Sequence, residues 1–372
     1  MALYLVICIT TVVFITTYTV VILSFLKGWK RLKSFHTTTY TIHTKVSVIV
    51  PFRNESRHIK TCLESLLNQS FPVSDLEIIL VDDLSSDDSK EIAQECSRQN
   101  PHVVYLRNQN PGKKRALEYG ILHSKGELLV TVDADSEYPL NWLHTLVQYY
   151  EMHHADLIIG PMQLRTGTSW FQKFQALEYI SLMGTTAGAV GINRPVMCNG
   201  ANLAFKKEVY QRFSDPFKRE YISGDDVFLL HQFKRIDPSK IHYLKSPETV
   251  VLTNGADNLK AFLKQRFRWA SKAPGYRDFD TLFIAGVVLG VAFSLILAML
   301  LAFFNIQYVM LFLCLFSIKT MVDLWFFTHV LRFFGKPSSL LVYLPFFELA
   351  HALYVLIASV SVLFPIVRWN KN

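Results

Sequence analysis

Apolar residues concentrate at the two ends of this chain and leave a polar middle. Residues 1–26 carry no charge, and a second uncharged run covers residues 281–318. As a helix rising 1.5 Å per residue, the first run is longer than the ~30 Å hydrocarbon core of a bilayer. It predicts a transmembrane anchor. We expect this anchor to be retained, because its basic residues follow it, whereas a signal peptide carries them in front.

The second run is too long for a single span and is interrupted by the polar residues Asn305 and Gln307. The pattern predicts three C-terminal membrane segments and a short tail, at 281–304, 308–332, 338–367 and 368–372. Pro345, Glu348 and His351 interrupt the third segment, so a re-entrant or interfacial course is the alternative to a span there.

Charged residues next to and inside the membrane segments predict their orientation and contacts. The basic juxtamembrane linker, residues 27–45, holds five Lys or Arg residues and no acid. The positive-inside rule therefore predicts a multi-pass protein of the cell membrane (inner or plasma), with its polar middle facing the cytoplasm. Lys319 and Asp323 lie four residues apart on one helix face, where they either pair with each other or guide a substrate.

Between the membrane segments, short β-branched runs alternate with amphipathic stretches. We predict strands at 46–50, 76–81, 103–106 and 127–132, and helices at 56–69, 86–99 and 113–124. This alternation is typical of βαβ units. The predicted fold class is therefore α/β, with a mostly parallel sheet and α-helical transmembrane segments on either side.

Polar clusters follow three of these strands directly. They are Pro51–Glu55, Asp82–Asp87 and Asp133–Asp135. Because ligands of such sheets bind outside the carboxyl ends of the strands, we expect the three clusters to converge. The sequence contains neither a G-x-G-x-x-G nor a P-loop pattern, so a phosphate ligand would need another source of positive charge.

Composition narrows the function classes further. The chain has 38 basic and 30 acidic residues, a net charge of +8, but five of the cations lie in the linker, where anionic lipid accounts for them. Nucleic acid is therefore not an expected partner. Five cysteines without a C-x-x-C pair indicate neither a disulfide framework nor a structural zinc site.

Seven motifs, in order along the chain, resemble the inverting, membrane-bound family 2 glycosyltransferases. They are Val-Ile-Val-Pro-Phe-Arg-Asn-Glu at 48–55, Val-Asp-Asp at 81–83, Gly-Lys-Lys-Arg-Ala-Leu at 112–117, Asp-Ala-Asp at 133–135, Cys-Asn-Gly-Ala-Asn-Leu-Ala-Phe at 198–205, Gly-Asp-Asp at 224–226 and Gln-Arg-Phe-Arg-Trp at 265–269. The last is a Gln-x-x-Arg-Trp motif, which marks cellulose, chitin and hyaluronan synthases, the Nod-factor chitooligosaccharide synthase and ceramide glucosyltransferases. One span before and three after the polar middle is similar to the last two.

The resemblance covers about residues 46–272 and implies the GT-A fold, a Rossmann-like fold that binds sugar nucleotides. It places the GT-A domain at 46–256 and an amphipathic interfacial helix, which carries the Gln-x-x-Arg-Trp motif, at 257–280. The chain departs from the pattern at Asp225-Asp226, where many relatives have Glu-Asp. Asp226, the carboxylate at the second position, is the expected catalytic base.

A metal site also follows from the resemblance. It implies that Asp135 binds Mg²⁺ or Mn²⁺, and that the diphosphate of a nucleotide sugar completes the coordination shell. The alternative is that Asp133-Ala-Asp135 is an aspartate-rich turn that caps the next helix.

The remaining site residues are carried over in the same way. Donor binding is expected from ten residues: Pro51, Arg53, Glu55, Asp82, Asp83, Lys113, Asp133, Gly200, Asn202 and Asp225. Gln265, Arg268 and Trp269 are expected to act with Asp226 in catalysis, Arg268 by neutralising the departing diphosphate and Trp269 by stacking on the acceptor. Structural alternatives are a helix cap at Asp82–Asp83, a simple turn at Asp225–Asp226 and a basic membrane anchor at the last motif.

The expected function is transfer of a sugar from a nucleotide-sugar donor, a UDP-sugar in our interpretation, to a membrane-associated lipid or glycan acceptor. One alternative is a processive polysaccharide synthase, for which a homo-oligomer would add the spans that a polymer channel needs. The other is a non-catalytic membrane scaffold that binds nucleotide sugars. Membrane lipid is a partner in each case, and the sequence names neither the sugar nor the acceptor.

Overall fold

The computed structural model of the protein describes residues 2–165, 167–221 and 223–363. These residues form two compact units. The polar unit comprises the described residues within Leu32–Arg165 and Asn193–Asn254, and the apolar unit those within Met1–Arg31, Thr166–Ile192 and Gly255–Asn372.

A seven-stranded sheet forms the core of the polar unit. Its strands are β1 (Val46–Phe52), β2 (Leu76–Asp82), β3 (Val103–Arg107), β4 (Leu128–Val132), β5 (Leu157–Ile159), β7 (Asn202–Lys206) and β8 (Ile241–Tyr243), while β6 (Met162–Leu164) and β9 (Val251–Thr253) form a separate parallel pair. The order across the large sheet is β3-β2-β1-β4-β7-β5-β8. Strand β7 is antiparallel to both of its neighbours and the other pairs are parallel, so the predicted mostly parallel α/β fold is confirmed.

The strand order predicts where a ligand can bind. Every residue of β1 is buried, as is typical of a parallel strand covered by helices on both faces. The chain runs outward from β1 to β2 and β3 and then returns to β4 on the other side of β1. In doubly wound sheets a crevice forms outside the carboxyl ends of the strands at such a reversal. Here the reversal lies between β1 and β4.

Six helices accompany the sheet in the described residues of the polar unit. They are α2 (Ile59–Leu67), α3 (Ser89–Gln99), α4 (Lys113–His123), α5 (Trp142–His153), α7 (Lys207–Tyr210) and α8 (Asp225–Ile236). Ile59, Leu63 and Leu66 of α2 are buried and lie at helical spacing, which is the pattern of a helix with one face against a core. The amphipathic stretches of the sequence become helices for this reason.

All regular secondary structure in the described residues of the apolar unit is helical. Its helices are α1 (Ala2–Arg31), α6 (Trp170–Gly191), α9 (Leu259–Ala270), α10 (Phe279–Leu301), α11 (Ile306–Phe333) and α12 (Leu344–Leu363). Among the residues that the structure describes, four stretches are long and apolar enough to cross a membrane, namely Ala2–Arg31, Phe279–Leu301, Ile306–Phe333 and Ser338–Val362. They coincide with the four apolar segments of the sequence. The last begins as a short 3-10 helix, Ser338–Tyr343, and residues 364–372, with the predicted tail, lie outside the described residues.

Helix α6 belongs to the apolar unit, although residues 167–192 lie inside the predicted 46–256 domain. The helix starts with a capping box, in which the Ser169 hydroxyl accepts from the Gln172 backbone N–H. It packs closely against α1, because a Cβ on Gly28 would collide with the backbone carbonyl of Gly188. Glycine at these positions lets the two backbones approach each other, as small residues do at contacts between membrane helices. No motif in the sequence indicated this contact.

Four ionisable or hydroxyl side chains meet inside the apolar unit. Lys319 of α11 donates to Asp323 Oδ2 at 2.7 Å and to Glu348 of α12, and the Tyr18 hydroxyl of α1 donates to Asp323 Oδ1 at 2.7 Å. Lys319 and Asp323 are 4% exposed and Glu348 is fully buried. Glu348 Oε1 has no partner among the described residues. The pairing of Lys319 with Asp323, which the sequence left open, is therefore observed, and the cluster links three helices.

We predict that Lys319→Met destabilises the protein by about 3–5 kcal/mol, because it leaves two buried carboxylates without their cation. Thermal unfolding in detergent measures the effect. Lys125→Met, the same change at an exposed position, is the control and should have little effect. Equal midpoints for the two variants would contradict the structural role of the cluster.

Candidate active site

The loop after β1 carries the first group of predicted site residues. Asn54 has a left-handed φ of 57°, and its side-chain oxygen accepts from the Ser86 N–H at 2.8 Å. Leu84 in the loop after β2 also has a positive φ, of 62°, which is unusual for a bulky side chain. These contacts join the loops after β1 and β2 and hold Arg53 and Glu55 at the carboxyl edge of the sheet.

A second set of hydrogen bonds positions Glu55. Its backbone N–H donates to the Ser89 hydroxyl at 2.7 Å, and that hydroxyl donates to Asp87. Burial alone would raise the pKa of Asp87, but hydrogen bonds from Ser89 and Ser56 outweigh it and lower the pKa to about 2. Asp87 therefore acts as a structural anion in this loop.

The two aspartates at the end of β2 differ in their surroundings. Asp82 is fully buried, and its carboxylate accepts from the Ser85 N–H at 2.8 Å and from the Tyr105 hydroxyl at 3.0 Å. Asp83 accepts from the Gly112 N–H at 2.8 Å and also faces a cavity. Asp82 thus holds the turn, whereas Asp83 joins the β2 loop to the start of α4.

Lys113, the first residue of α4, reaches the aspartates that follow β4. Its ammonium donates to Asp133 Oδ1 at 2.6 Å. Asp135 lies nearby and is largely buried, and burial raises its pKa to about 6, with a further contribution from the charges of Asp133 and Glu55. Side chains separated by some eighty positions in the sequence therefore affect each other electrostatically.

These residues surround one cavity of about 230 Å³ at the carboxyl edge, between β1 and β4. It is lined by Pro51, Phe52, Arg53, Glu55, Asp83, Lys113, Asp133, Ala134 and Asp135. Two cations face four carboxylates, a formal charge of −2. Such an excess of carboxylates is unfavourable in a partly enclosed site and favours a divalent cation.

The donor atoms fit one hard cation with an incomplete protein shell. In the described residues, no group of three or more His, Cys, Asp or Glu side chains is placed to hold a metal ion by itself. Mg²⁺ typically binds through one or two carboxylates and completes its shell with phosphate oxygens and water. Asp135 and its neighbours match that arrangement.

Asn202 and Gly200 lie beside this edge in different roles. Asn202 is fully buried; its side chain accepts from Trp142 Nε1 at 2.9 Å and donates to the carbonyls of Pro161 and Thr249. Its hydrogen-bonding groups are therefore occupied by the protein. Gly200 instead borders the acidic start of α8, since a Cβ there would lie 3.5 Å from Asp225 Oδ2.

Asp225 and Asp226 occupy the first turn of α8, which follows Gly224 in a left-handed conformation with φ 89°. Both aspartates are partly exposed. The Gly200 carbonyl, next to them, accepts a 2.7 Å hydrogen bond from Thr131 of β4. The structure thus connects the start of α8 to β4, the strand that directly precedes Asp133.

Tyr138 and Cys62 support the Asp133 loop and were not predicted from the sequence. The Tyr138 hydroxyl accepts from the Asp133 N–H and donates to the Ala201 carbonyl, each at 3.1 Å. Cys62 Sγ lies 3.7 Å from the Asp133 carbonyl, and burial, together with the charges of Asp135 and Asp133, raises the pKa of this thiol. A single tyrosine or cysteine between unrelated motifs gives no sequence signal for such a role.

Comparison with known proteins relates the part of the chain that contains this cavity to a protein family. Residues 47–213 match the family described as glycosyl transferase family 2. The chain carries a family 2 glycosyltransferase domain. The match includes the residues that line the cavity and ends before α8 and α9.

Two curated relatives support this assignment. The glycosyltransferase AglE of Haloferax volcanii is 26% identical over 226 residues, which cover 60% of this chain and 71% of AglE. The glycosyltransferase GlyG of Streptococcus pneumoniae is 37% identical over 116 residues, 31% of this chain and 38% of GlyG. The chain therefore spans well under two thirds of GlyG.

One solved structure resembles the fold of the whole chain. A mannosyltransferase from Pyrobaculum calidifontis, in complex with GDP-mannose and Mn²⁺, aligns with a TM-score of 0.58 over 97% of this chain and 100% of its own, at 17% identity. The likeness confirms the predicted GT-A-like fold of the glycosyltransferase domain.

The Gln-x-x-Arg-Trp motif lies on α9, in the apolar unit. Arg266, at a variable position of the motif, is buried, whereas Arg268 is partly exposed and its guanidinium has no polar partner among the described residues. The Gln265 side-chain oxygen accepts from Arg266 Nη1 at 2.7 Å, and the Trp269 ring lies 4.1 Å from the Arg266 guanidinium.

We predict that Asp83→Asn destabilises the glycosyltransferase domain by about 1–3 kcal/mol, because the new amide group faces the Gly112 N–H and the Asn108 amide as a second donor. The shift of the thermal unfolding midpoint measures this loss. Asp88→Asn, at an exposed aspartate close by, should leave the midpoint within error of the parent. An unchanged midpoint for Asp83→Asn would show that Asp83 does not hold the start of α4.

Proposed function

We propose that this family 2 glycosyltransferase is an inverting enzyme that transfers a sugar from a nucleotide donor to a membrane-associated lipid or oligosaccharide acceptor. The observation that carries the proposal is the cavity between β1 and β4, where Arg53 and Lys113 face four carboxylates. The four apolar helices support a membrane-associated acceptor. In our proposal the domain faces the cytoplasm, on the side of the basic linker.

Donor binding is assigned to the carboxyl edge. Glu55 and Asp83 face the cavity, where their carboxylates can accept hydrogen bonds from a nucleoside, and Lys113 supplies a positive charge for the diphosphate. Asp135 would hold Mg²⁺ or Mn²⁺, which offsets the charge of the departing diphosphate. Support comes from the crowded carboxylates and from the mannosyltransferase of similar fold, whose structure contains GDP-mannose and Mn²⁺.

Asp226 is our candidate for the catalytic base. In a single displacement, the acceptor hydroxyl oxygen forms a bond to the anomeric carbon while the bond from that carbon to the phosphate oxygen breaks. The hydroxyl proton passes to the Asp226 carboxylate, and the nucleoside diphosphate leaves with the electron pair. Asp226 is partly exposed and adjoins Gly200, so a carboxylate lies where the backbone permits close approach.

The α9 motif completes the proposal. Arg268 has a guanidinium without a polar partner in the described chain, so it is available to an anion such as the departing diphosphate. We assign Trp269 and Gln265 to the acceptor, the ring by stacking and the amide by hydrogen bonding. A single transfer is favoured over polymerisation because the four candidate spans in the described residues are few for a polymer channel. The length of the products formed from a labelled donor, measured by chromatography, decides between them.

A donor panel tests the proposal directly. The purified protein with Mn²⁺ is mixed with UDP-glucose, UDP-N-acetylglucosamine or GDP-mannose, and both thermal stabilisation and sugar transfer to extracted membrane lipid are measured. Stabilisation by one donor with transfer to lipid is the expected result. If none of the three stabilises the protein and none is consumed, the proposed function is wrong.

Asp226→Asn should abolish transfer, since an amide cannot take the proton, and should leave donor binding within about threefold of the parent. Transfer rates and binding of the donor found in the panel are measured together. Asp257→Asn, at an exposed aspartate, is the matched control and should retain the rate. Transfer at the parent rate in Asp226→Asn would exclude this residue as the base.

Asp135→Ala should weaken Mn²⁺-dependent nucleotide binding by about tenfold or more, because it removes a carboxylate ligand. Titration with the nucleoside diphosphate in the presence and absence of Mn²⁺ measures the change. Asp88→Ala, which removes an exposed carboxylate, should bind as the parent does. Identical Mn²⁺ dependence in Asp135→Ala and the parent would assign the metal to other residues.

A further inference from the structure

A buried ion pair joins α6 to α9 inside the apolar unit. Arg266 donates from Nε to Glu178 Oε1 at 2.9 Å and from Nη2 to Glu178 Oε2, which is a two-point contact between a guanidinium and a carboxylate. Glu178 is 1% exposed and Arg266 is 5% exposed. Such a fork-to-fork contact restrains the plane of the guanidinium as well as its position.

The restrained guanidinium in turn contacts two residues of the Gln-x-x-Arg-Trp motif. Its Nη1 donates to Gln265 Oε1 at 2.7 Å, so the Gln265 amide nitrogen is left to donate elsewhere. Its carbon centre lies 4.1 Å from the Trp269 ring and 4.3 Å from the Phe262 ring, so the guanidinium packs against both rings. The orientations of Gln265 and Trp269 therefore depend on the plane that Glu178 sets.

A third helix orients the carboxylate itself. The Tyr354 hydroxyl of α12 donates to Glu178 Oε1 at 3.0 Å, and its ring packs edge-on against Phe262 at 5.6 Å. Glu178 thus accepts from two helices at once. The Tyr354 bond leaves the carboxylate little freedom to rotate away from Arg266.

We propose that Glu178 is a positioning residue for the Gln-x-x-Arg-Trp motif: it acts through Arg266 to hold the Gln265 amide and the Trp269 ring in their working orientation. The inference rests on the proposed function in one respect, the roles of Gln265 and Trp269 toward the acceptor. Neither Glu178 nor Arg266 is a defined position of the motif, so the motif alone does not identify them.

Stability does not by itself account for this ion pair. Desolvating two charges is costly, and replacing a buried ion pair by apolar residues of similar volume is often neutral or stabilising. Removing only one partner is destabilising, because it leaves a buried charge unpaired. A pair of apolar substitutions can therefore separate a positioning role from a structural one.

The first experiment is kinetic. Glu178→Gln keeps the shape but removes the charge and one acceptor, so kcat with the active donor among UDP-glucose, UDP-N-acetylglucosamine and GDP-mannose should fall about 10- to 100-fold. The KM for that donor should change by less than about threefold, since the carboxyl-edge residues are intact. A kcat equal to that of the parent would overturn the proposal.

The second experiment replaces both partners. The Glu178→Met, Arg266→Met double variant should unfold within about 4 °C of the parent, yet its kcat should remain as low as that of Glu178→Gln. Full recovery of kcat in the double variant would show that the pair only stabilises the fold, and would overturn the proposal.

The third experiment does not depend on catalysis. The chain has six tryptophans, and incorporation of 5-fluorotryptophan gives each a ¹⁹F resonance, with that of Trp269 assigned by Trp269→Phe. Glu178→Gln should move or broaden the Trp269 line and leave the Trp142 line unchanged. Asp323→Asn, which removes one of the two buried carboxylates that contact Lys319, is the matched control and should not move the Trp269 line.

The measurements separate the two hypotheses. A Trp269 line that is identical in the parent and in Glu178→Gln would overturn the proposed positioning, whatever the enzyme transfers. A parent protein that consumes none of the three donors would contradict the proposed function, while the fluorine spectra would still decide whether Glu178 orients Trp269.

Discussion

Repulsion among like charges is the constraint on which the rest of this structure depends. Glu55, Asp83, Asp133 and Asp135 lie around one cavity, and only Arg53 and Lys113 offset them. Carboxylates so close together would separate if their loops were free to move. The loops are held by hydrogen bonds that their backbone N–H groups donate to side chains that do not face the cavity, such as the hydroxyls of Ser89 and Tyr138.

Much of the fold was predictable because it depends on local patterns. Buried strands, amphipathic helices and uncharged runs have periods that the sequence displays directly, and β1 to β4 and the four apolar helices appear where these patterns lie. The position of helix α6 in the apolar unit was not predicted, because its contacts with other helices, and not a sequence motif, place it there. Its mixed polar and apolar residues resemble those of a helix in a soluble domain.

The sequence predicted which residues of the candidate site group together, but not what each residue contacts. Parallel topology brings the loops after β1, β2 and β4 to one edge, so Glu55, Asp83 and Asp135 could be grouped from strand order alone. The sequence could not show that the side chain of Asn202 forms hydrogen bonds with three other residues of the protein, because those residues lie 41 to 60 positions away. The sequence could likewise not show that Arg266 is buried, since its partner Glu178 is 88 positions distant.

Helix α6 of the apolar unit lies between two parts of the polar unit in the sequence, and this order affects how the protein folds during synthesis. Strand β5 precedes α6, but its neighbours in the sheet, β7 and β8, both follow it. During synthesis the sheet therefore stays open, with the edges of β4 and β5 unpaired, until the ribosome has completed α6 and the segments beyond it. Open strand edges favour association with other chains. During this part of synthesis, a chaperone or the prompt packing of α6 against its helical neighbours would protect the nascent domain from aggregation.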